Sequence, residues 1–146
     1  MPGKRSITLL FALILSLFIV VCPYSARSFA GAVEYKFNMS YIYFGDKSIY
    51  LDCIENTRGS INEISPGYFD LDTDGSLKLT STLDANFINE MHKRGIRVVP
   101  FLSNHWDRAL GRKALSRRDK LADEIVDAIM RYNLDGINVD LENLTE

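Results

Sequence analysis

The sequence predicts an α/β fold built on a parallel sheet, and three observations carry that prediction. After Gly31, segments of strand character alternate with segments of helical character. The connections between successive strands exceed the dozen or so residues that a parallel crossover needs, which implies right-handed crossovers. The last strand gathers its polar side chains on one face, an arrangement that a sheet buried on both sides does not carry without a reason.

Taken in order, Ser40-Tyr41-Ile42-Tyr43-Phe44 is aromatic and β-branched and closes on Gly45-Asp46, so it reads as the first strand. A weaker helical stretch covers residues 48–56 and stops near Gly59. Residues 61–69 form a second strand with Pro66 near its end, and the acidic, glycine-containing run 70–76 follows as a turn. That turn lacks the ligand spacing and terminal Glu of a calcium loop. The next helix has Ser81 or Thr82 as cap, Leu83, Phe87, Ile88 and Met91 on one face, Lys93 and Arg94 at its negative end, and Gly95 as the left-handed exit. Residues 97–103 then read as a buried strand, interrupted in its hydrogen bonding by Pro100. Ser116 and Asp119 have the spacing of a capping box for a third helix, whose buried face is Leu121, Ile125, Ala128, Ile129 and Tyr132 and which Asn133 ends. Residues 135–142 are a strand again.

The chain has 146 residues and a formal net charge of −2, which suits one ordinary globular domain and lacks the clustered basic excess of a nucleic-acid surface. Residues 1–30 are set apart from that domain. Lys4 and Arg5 precede an uncharged apolar run from Ile7 to Val21, Pro23 breaks it, and Ser28-Phe29-Ala30 offers small residues for a peptidase. The run is shorter than the ~20 residues of a spanning helix. It is therefore expected to be a secretory signal peptide, with an uncleaved membrane anchor as the alternative and residues 31–146 as the exported domain. The protein is expected outside the cell or at the cell wall. Cys22 would leave with the signal, and the remaining Cys53 is expected to be a small buried residue without reactivity.

Two architectures fit the alternation: an open doubly wound sheet, or the N-terminal half of a (β/α)8 TIM barrel with about four β/α units. A complete barrel takes about 250 residues, so length favours the open sheet. The last strand favours the barrel. In Asp135-Gly136-Ile137-Asn138-Val139-Asp140-Leu141-Glu142, strand alternation puts Ile137, Val139 and Leu141 on one side and Asn138, Asp140 and Glu142 on the other. Two carboxylates thus start roughly 6.6 Å apart on one face. Burying them is costly without compensation, and the C-terminal end of a barrel strand is where such enzymes keep their sites. An edge strand with its polar face in water is the bland alternative.

These residues carry a resemblance. Asp135-Gly136-x-Asn138-x-Asp140-x-Glu142 resembles the fourth-strand signature of glycoside hydrolase family 18, the chitinase-type enzymes, written DGxDxDxE. Asn138 stands where the common form has an acid. That Asn, with Ile64-Ser65-Pro66-Gly67-Tyr68-Phe69 and Asp74-Gly75-Ser76, resembles the spore-germination and cortex-lytic peptidoglycan hydrolases of the family. The resemblance spans residues 39–144.

The resemblance implies a glycosidase acting on β-linked N-acetylated glycans, peptidoglycan or chitin-like, by retaining, substrate-assisted catalysis without a cofactor or metal. It makes Glu142 the general acid and Asp140 the group that orients the substrate's N-acetyl carbonyl, which itself closes on the anomeric carbon. A neighbouring carboxylate disfavours ionisation of an acid, which suits one that must arrive protonated. Asn138 can hydrogen-bond Asp140 but cannot share a titrating proton with it. Tyr43 after the first strand, and Asn104 and Trp106 after the third, are candidate sugar contacts, Trp106 by stacking its indole on a ring. Packing of the interior accounts for Tyr43 equally simply, and a lone loop Trp such as Trp106 more often anchors its own loop. His92 and His105 are too far apart in sequence pattern to read as a zinc site. The basic pairs Arg112-Lys113 and Arg117-Arg118 read as a solvated helix start that could also attract an anionic wall polymer.

Two other readings compete. A chitinase-like sugar-binding module without catalysis would typically lack the acid that stands at Glu142. A receiver-like phosphoacceptor domain would need an acidic cluster after the first strand and an Asp after the third, where this chain has Asp46 and Asn104. Because the later strands of a barrel are missing from the 146 residues, the polypeptide is expected to be a fragment without activity of its own.

Overall fold

Tyr41 and Ile42 continue a β-branched and aromatic run that forms the first strand, β1 (Met39–Ile42). The computed structural model describes residues 36–43 and 47–145; the expected signal segment, with Cys22, lies outside them. After β1 come α1 (Lys47–Asn56), β2 (Glu63–Pro66), β3 (Phe69–Leu71) and β4 (Leu77–Leu79). Then follow α2 (Ala85–Lys93), β5 (Arg97–Val98), β6 (Phe101–Ser103), α3 (Arg108–Ser116), α4 (Arg118–Tyr132) and β7 (Asn138–Asp140). The described fold lies in the unit Phe37–Glu146.

The sheet is parallel wherever strands separated by helices meet. β1 pairs with β2 from Met39↔Glu63 to Ile42↔Pro66, and β2 pairs with β5 through Ile64↔Val98. β3 pairs with β6 through Phe69↔Leu102, and β6 with β7 through Phe101↔Asn138, Leu102↔Val139 and Ser103↔Asp140. The two expected long strands are each cut near a proline, β2 stopping at Pro66 and β5 at Val98, because proline has no amide hydrogen for the ladder. Chain continuity across the cuts is kept by Gly67 N–H donating to the Ile42 carbonyl (3.1 Å), Val99 N–H to Ile64 (2.9 Å) and Asn138 N–H to Pro100 (2.9 Å). This is the (β/α) alternation of a TIM barrel through its first four strand positions.

The core lies between the outward sheet face and the helices. Ile64, Val98 and Leu102 from the strands meet Phe87, Ile88 and Met91 of α2, all nearly inaccessible. Each such side chain contributes about 1.5–3 kcal/mol on burial, so the α2 face is the main anchor of that helix. The expected α4 face holds too: Leu121 and Ala128 are buried, and Ile125, Ile129 and Tyr132 pack against the core. Asn133 ends α4 in the left-handed conformation, and Gly95 has φ +72° just after α2.

Several expectations need correction. Asp84, not Ser81 or Thr82, caps α2: its backbone is extended and its carboxylate accepts from the Asn86 and Phe87 amides. The Thr82 hydroxyl instead pairs with Thr80 (2.7 Å) and the Gly67 carbonyl (3.3 Å). Ser116 is no cap either. It ends α3, donating to the Lys113 carbonyl at 2.7 Å, while α4 starts at Arg118 with no side-chain cap. α3 itself was not expected; Asp107 caps it by accepting from the Leu110 amide at 3.0 Å. The acidic run 70–76 is not wholly a turn, since β3 and β4 form an antiparallel hairpin around it. Cys53 is exposed rather than buried, because α1 turns only Ile54 fully into the core.

Candidate active site

The strand alternation puts the polar face of β7 on the same side as Tyr41 and Phe101. Asn138 Nδ2 donates to the Tyr41 hydroxyl at 2.8 Å, tying the fourth strand position to the first. Tyr41 meets Phe101 edge to face with ring centroids 5.6 Å apart, and Tyr43 lies 5.7 Å from the same ring. Above them Asp140 stands opposite its register partner Ser103. Tyr41, Tyr43, Phe101, Ser103, His105 and Asp140 enclose an open cleft of about 380 Å³. A carboxylate at the end of an aromatic-walled cleft is suited to a sugar: ring faces cover the apolar side of a pyranose while the acid meets an N–H or hydroxyl.

Of the residues read as candidates from the sequence, Asp140 and Tyr43 come together in this cleft, and Asn138 sits beside it through Tyr41. Glu142 does not line the cleft. β7 ends at Asp140, and Glu142 follows two residues beyond it at the rim, half-buried. Its backbone is held from both sides: the Glu142 amide donates to Asn104 Oδ1 at 2.8 Å, and Asn104 Nδ2 donates to the Glu142 carbonyl at 2.9 Å.

Asn104 is therefore misassigned as a sugar contact. It is 0% exposed and its amide is engaged with the backbone, so it cannot reach a sugar hydroxyl. Trp106 is 66% exposed on the same rim and lines no part of the cleft. It follows His105 in the left-handed conformation, with φ +62° after +49°. Two consecutive non-glycine residues there are uncommon and require outside support. The support is visible: the His105 amide donates to Ser103 Oγ (3.0 Å), Asn143 Nδ2 donates to the Trp106 carbonyl (3.0 Å), and the Asp107 amide donates to the Asn104 carbonyl (2.8 Å). His105 Nε2 also reaches Asp70 on β3 at 3.1 Å. His92, at the other end of the sheet, reaches Asp135 at 2.8 Å; the two histidines serve separate carboxylates.

Tyr41 is the site residue that the sequence reading missed. Its signal was present, since residues 41 and 43 share a strand face, so whatever singled out Tyr43 applied equally to Tyr41. From the sequence, His105 reads only as a residue too far from His92 for a zinc site; its place in the cleft with Asp140 depends on the left-handed turn, which nothing in a His-Trp pair announces.

Comparison with known proteins follows the same lines. Residues 68–146 match the family described as the endo-beta-N-acetylglucosaminidase EndoS TIM-barrel domain. No curated protein matches the chain. Among solved structures, a chitinase from Chromobacterium violaceum superposes with a TM-score of 0.60 at 17% identity, covering 73% of this chain and 36% of its own. The spore cortex-lytic enzyme SleL of Bacillus cereus gives a TM-score of 0.59 at 15% identity, covering 75% and 29%. A chitinase from Rhizomucor miehei gives 0.55 at 24% identity, covering 71% and 33%. The chain thus spans about a third of the length of the structures it matches, and they share its barrel fold.

Proposed function

Because the chain belongs to the endo-beta-N-acetylglucosaminidase EndoS TIM-barrel family, we propose that it carries the acid-bearing part of a glycoside hydrolase for β-linked N-acetylated glycans. The observation that carries this reading is the placement of Asp140 in an aromatic-walled cleft at the C-terminal end of a parallel strand, with Glu142 two residues further on.

In this reading Glu142 protonates the departing glycosidic oxygen. The substrate's own N-acetyl carbonyl closes on the anomeric carbon as that bond breaks, and Asp140 orients the N-acetyl group and stabilises the charge it acquires. Water then opens the intermediate with retention, Glu142 taking back a proton. Tyr41, Tyr43 and Phe101 supply the ring faces on which the sugar rests, and Trp106 offers a further face along the rim. Asn138 holds Tyr41 and acts through position alone, since an amide has no proton to relay at neutral pH.

The substrate is peptidoglycan or a chitin-like polymer. The Asn138 form of the signature, which resembles the cortex-lytic subgroup, favours peptidoglycan. The N-terminal export signal read from residues 1–30 fits either polymer, since both lie outside the cell.

The test is turnover of N-acetylglucosamine oligosaccharides and of peptidoglycan by the complete protein and its Glu142→Gln and Asp140→Asn variants. Glu142→Gln is expected to lower kcat by about a hundredfold or more with an unchanged circular dichroism spectrum. Full turnover by Glu142→Gln removes that residue from the chemistry. Tight glycan binding by the unaltered protein with no turnover assigns the cleft instead to a chitinase-like binding module.

A further inference from the structure

Asn104, a completely buried polar side chain at the rim, is not a candidate for chemistry but touches the residue that is. Asn104 follows β6 directly, at the point where β7 also ends. The last backbone rung between the two strands is Ser103↔Asp140. One step further the strands no longer pair, and the Asn104 side-chain amide takes over. Its Oδ1 accepts from the Glu142 N–H (2.8 Å), and its Nδ2 donates to the Glu142 carbonyl (2.9 Å) and to the Asp107 carbonyl (2.9 Å). The planar side-chain amide thus does for Glu142 what a neighbouring peptide would do in a longer sheet. A fully buried amide is costly unless bonded, and here both donors and the oxygen are used.

The surroundings leave that amide no alternative position. A Cβ on Gly111 of α3 would come within 2.8 Å of Asn104 Nδ2 and 2.6 Å of Leu144 Cδ2, so only glycine lets the amide and Leu144 lie there together. Arg108 binds the next residue, donating from Nε to the Asn143 carbonyl and from Nη2 to its side-chain oxygen, both at 3.0 Å. Asn143 itself has φ +56°.

We propose that Asn104 is a positioning residue: it fixes the backbone of Glu142 just beyond the end of β7, and so sets where that acid meets the glycosidic oxygen. The proposal rests on the reading of Glu142 as general acid. Asn104 touches no substrate and transfers no proton. Misplacing an acid by an ångström costs up to about 100-fold in rate, and the loss falls only on steps that need the acid.

That selectivity provides the test. Cleavage of an N-acetylglucosamine oligosaccharide requires protonation of a poor leaving group, whereas a dinitrophenyl β-glycoside of the same sugar departs without it. In the complete protein, Asn104→Leu, similar in shape but without hydrogen bonds, is expected to lower kcat/KM on the oligosaccharide by about 10- to 100-fold. On the dinitrophenyl glycoside it should change kcat/KM, which reports bond cleavage and not the later water attack that also uses Glu142, by less than about threefold. Equal losses on both substrates overturn the proposal and leave Asn104 a staple of the loop. Glu142→Gln, measured beside it, must show the same selectivity. If it does not, the general-acid reading itself fails; if it does while Asn104→Leu does not, only the proposal for Asn104 fails. Gly111→Ala displaces the amide from the α3 side without removing it, and gives the same readout should Asn104→Leu not fold.

Discussion

Asp135 precedes β7, the strand that bears Asp140, and its carboxylate serves the end of the chain segment away from the cleft. Oδ2 accepts from the Val98 amide at 2.7 Å and from His92 Nε2 at 2.8 Å, while the Asp135 amide donates to the Val98 carbonyl at 3.0 Å. Val98 is 0% exposed with the carboxylate in place, so Asp135 shields its amide from water. Asp135→Ala leaves that N–H unpaired, at a cost of about 1.5–3 kcal/mol for a hydrogen bond to a charged group. The His92 contact is partly solvated, with the two side chains 25% and 31% exposed, and adds about 0–1 kcal/mol. The expected loss is about 2–4 kcal/mol, a large share of the ~5–15 kcal/mol that holds a domain folded. Urea unfolding measures it as a midpoint lowered by about 1–2 M with the slope unchanged. Asp135→Asn keeps an acceptor for Val98 and should recover more than half of the loss. A cost below about 1 kcal/mol for Asp135→Ala, or equal damage from both substitutions, would refute the claim that the Val98 bond dominates.

Two further perturbations test the hairpin over the helices. The Leu77 amide, and after it the Arg117 guanidinium at 2.6 Å, hold the Glu124 carboxyl below its ordinary value of 4.5. A folded-state value below the unfolded one means that the stabilisation is fully present above pH 4.5 and is lost as the pH falls through the folded value. Glu124→Gln should therefore lower the melting temperature at neutral pH, and its difference from the unaltered protein should shrink in acid. A difference that stays constant down to pH 2–3, roughly two units below the ordinary carboxylate value, contradicts the assignment. Gly75 lies in the turn with φ +83°, and a Cβ there would meet the Ala114 amide nitrogen at 2.7 Å. Gly75→Ala combines a left-handed penalty of about 1–2 kcal/mol with overpacking of about 1–3 kcal/mol. Its melting temperature should fall by more than about 8 °C, and a fall of only a degree or two would show that the hairpin lifts freely off α3.

Much of the architecture was legible because it is written in local patterns. The α2 face of Phe87, Ile88 and Met91, the Gly95 exit and the Asn133 stop depend on helical spacing and backbone preference alone, and each appears where expected. On the last strand, Asn138 and Asp140 were legible as a polar face for the same reason, while β7 stops at Asp140, two residues short of Glu142. What escaped the sequence depends on contacts between distant segments. α3 is short, contains Gly111 and is strongly basic, so its pattern is weak; it is held by Asp107 below and by Asn104 and Leu144 against Gly111. The β3–β4 hairpin hid inside an acidic run because its stabilising partners, Lys113 for the Thr73 carbonyl and Glu124 for the Leu77 amide, lie 40 and 47 residues away. Asn104 looked like a rim residue from its position after a strand. Only the fold shows that its amide is turned inward.

Pro66 ends β2 and Pro100 lies between β5 and β6, and both side chains are fully buried. A sheet that curls into a cylinder must flex somewhere, and flexing ordinarily stretches amide-to-carbonyl links. At these two residues there is no amide hydrogen whose link could be stretched. The amides of Gly67, Val99 and Asn138 carry the links around the two prolines instead, so each proline interrupts its strand without leaving a buried amide hydrogen unpaired.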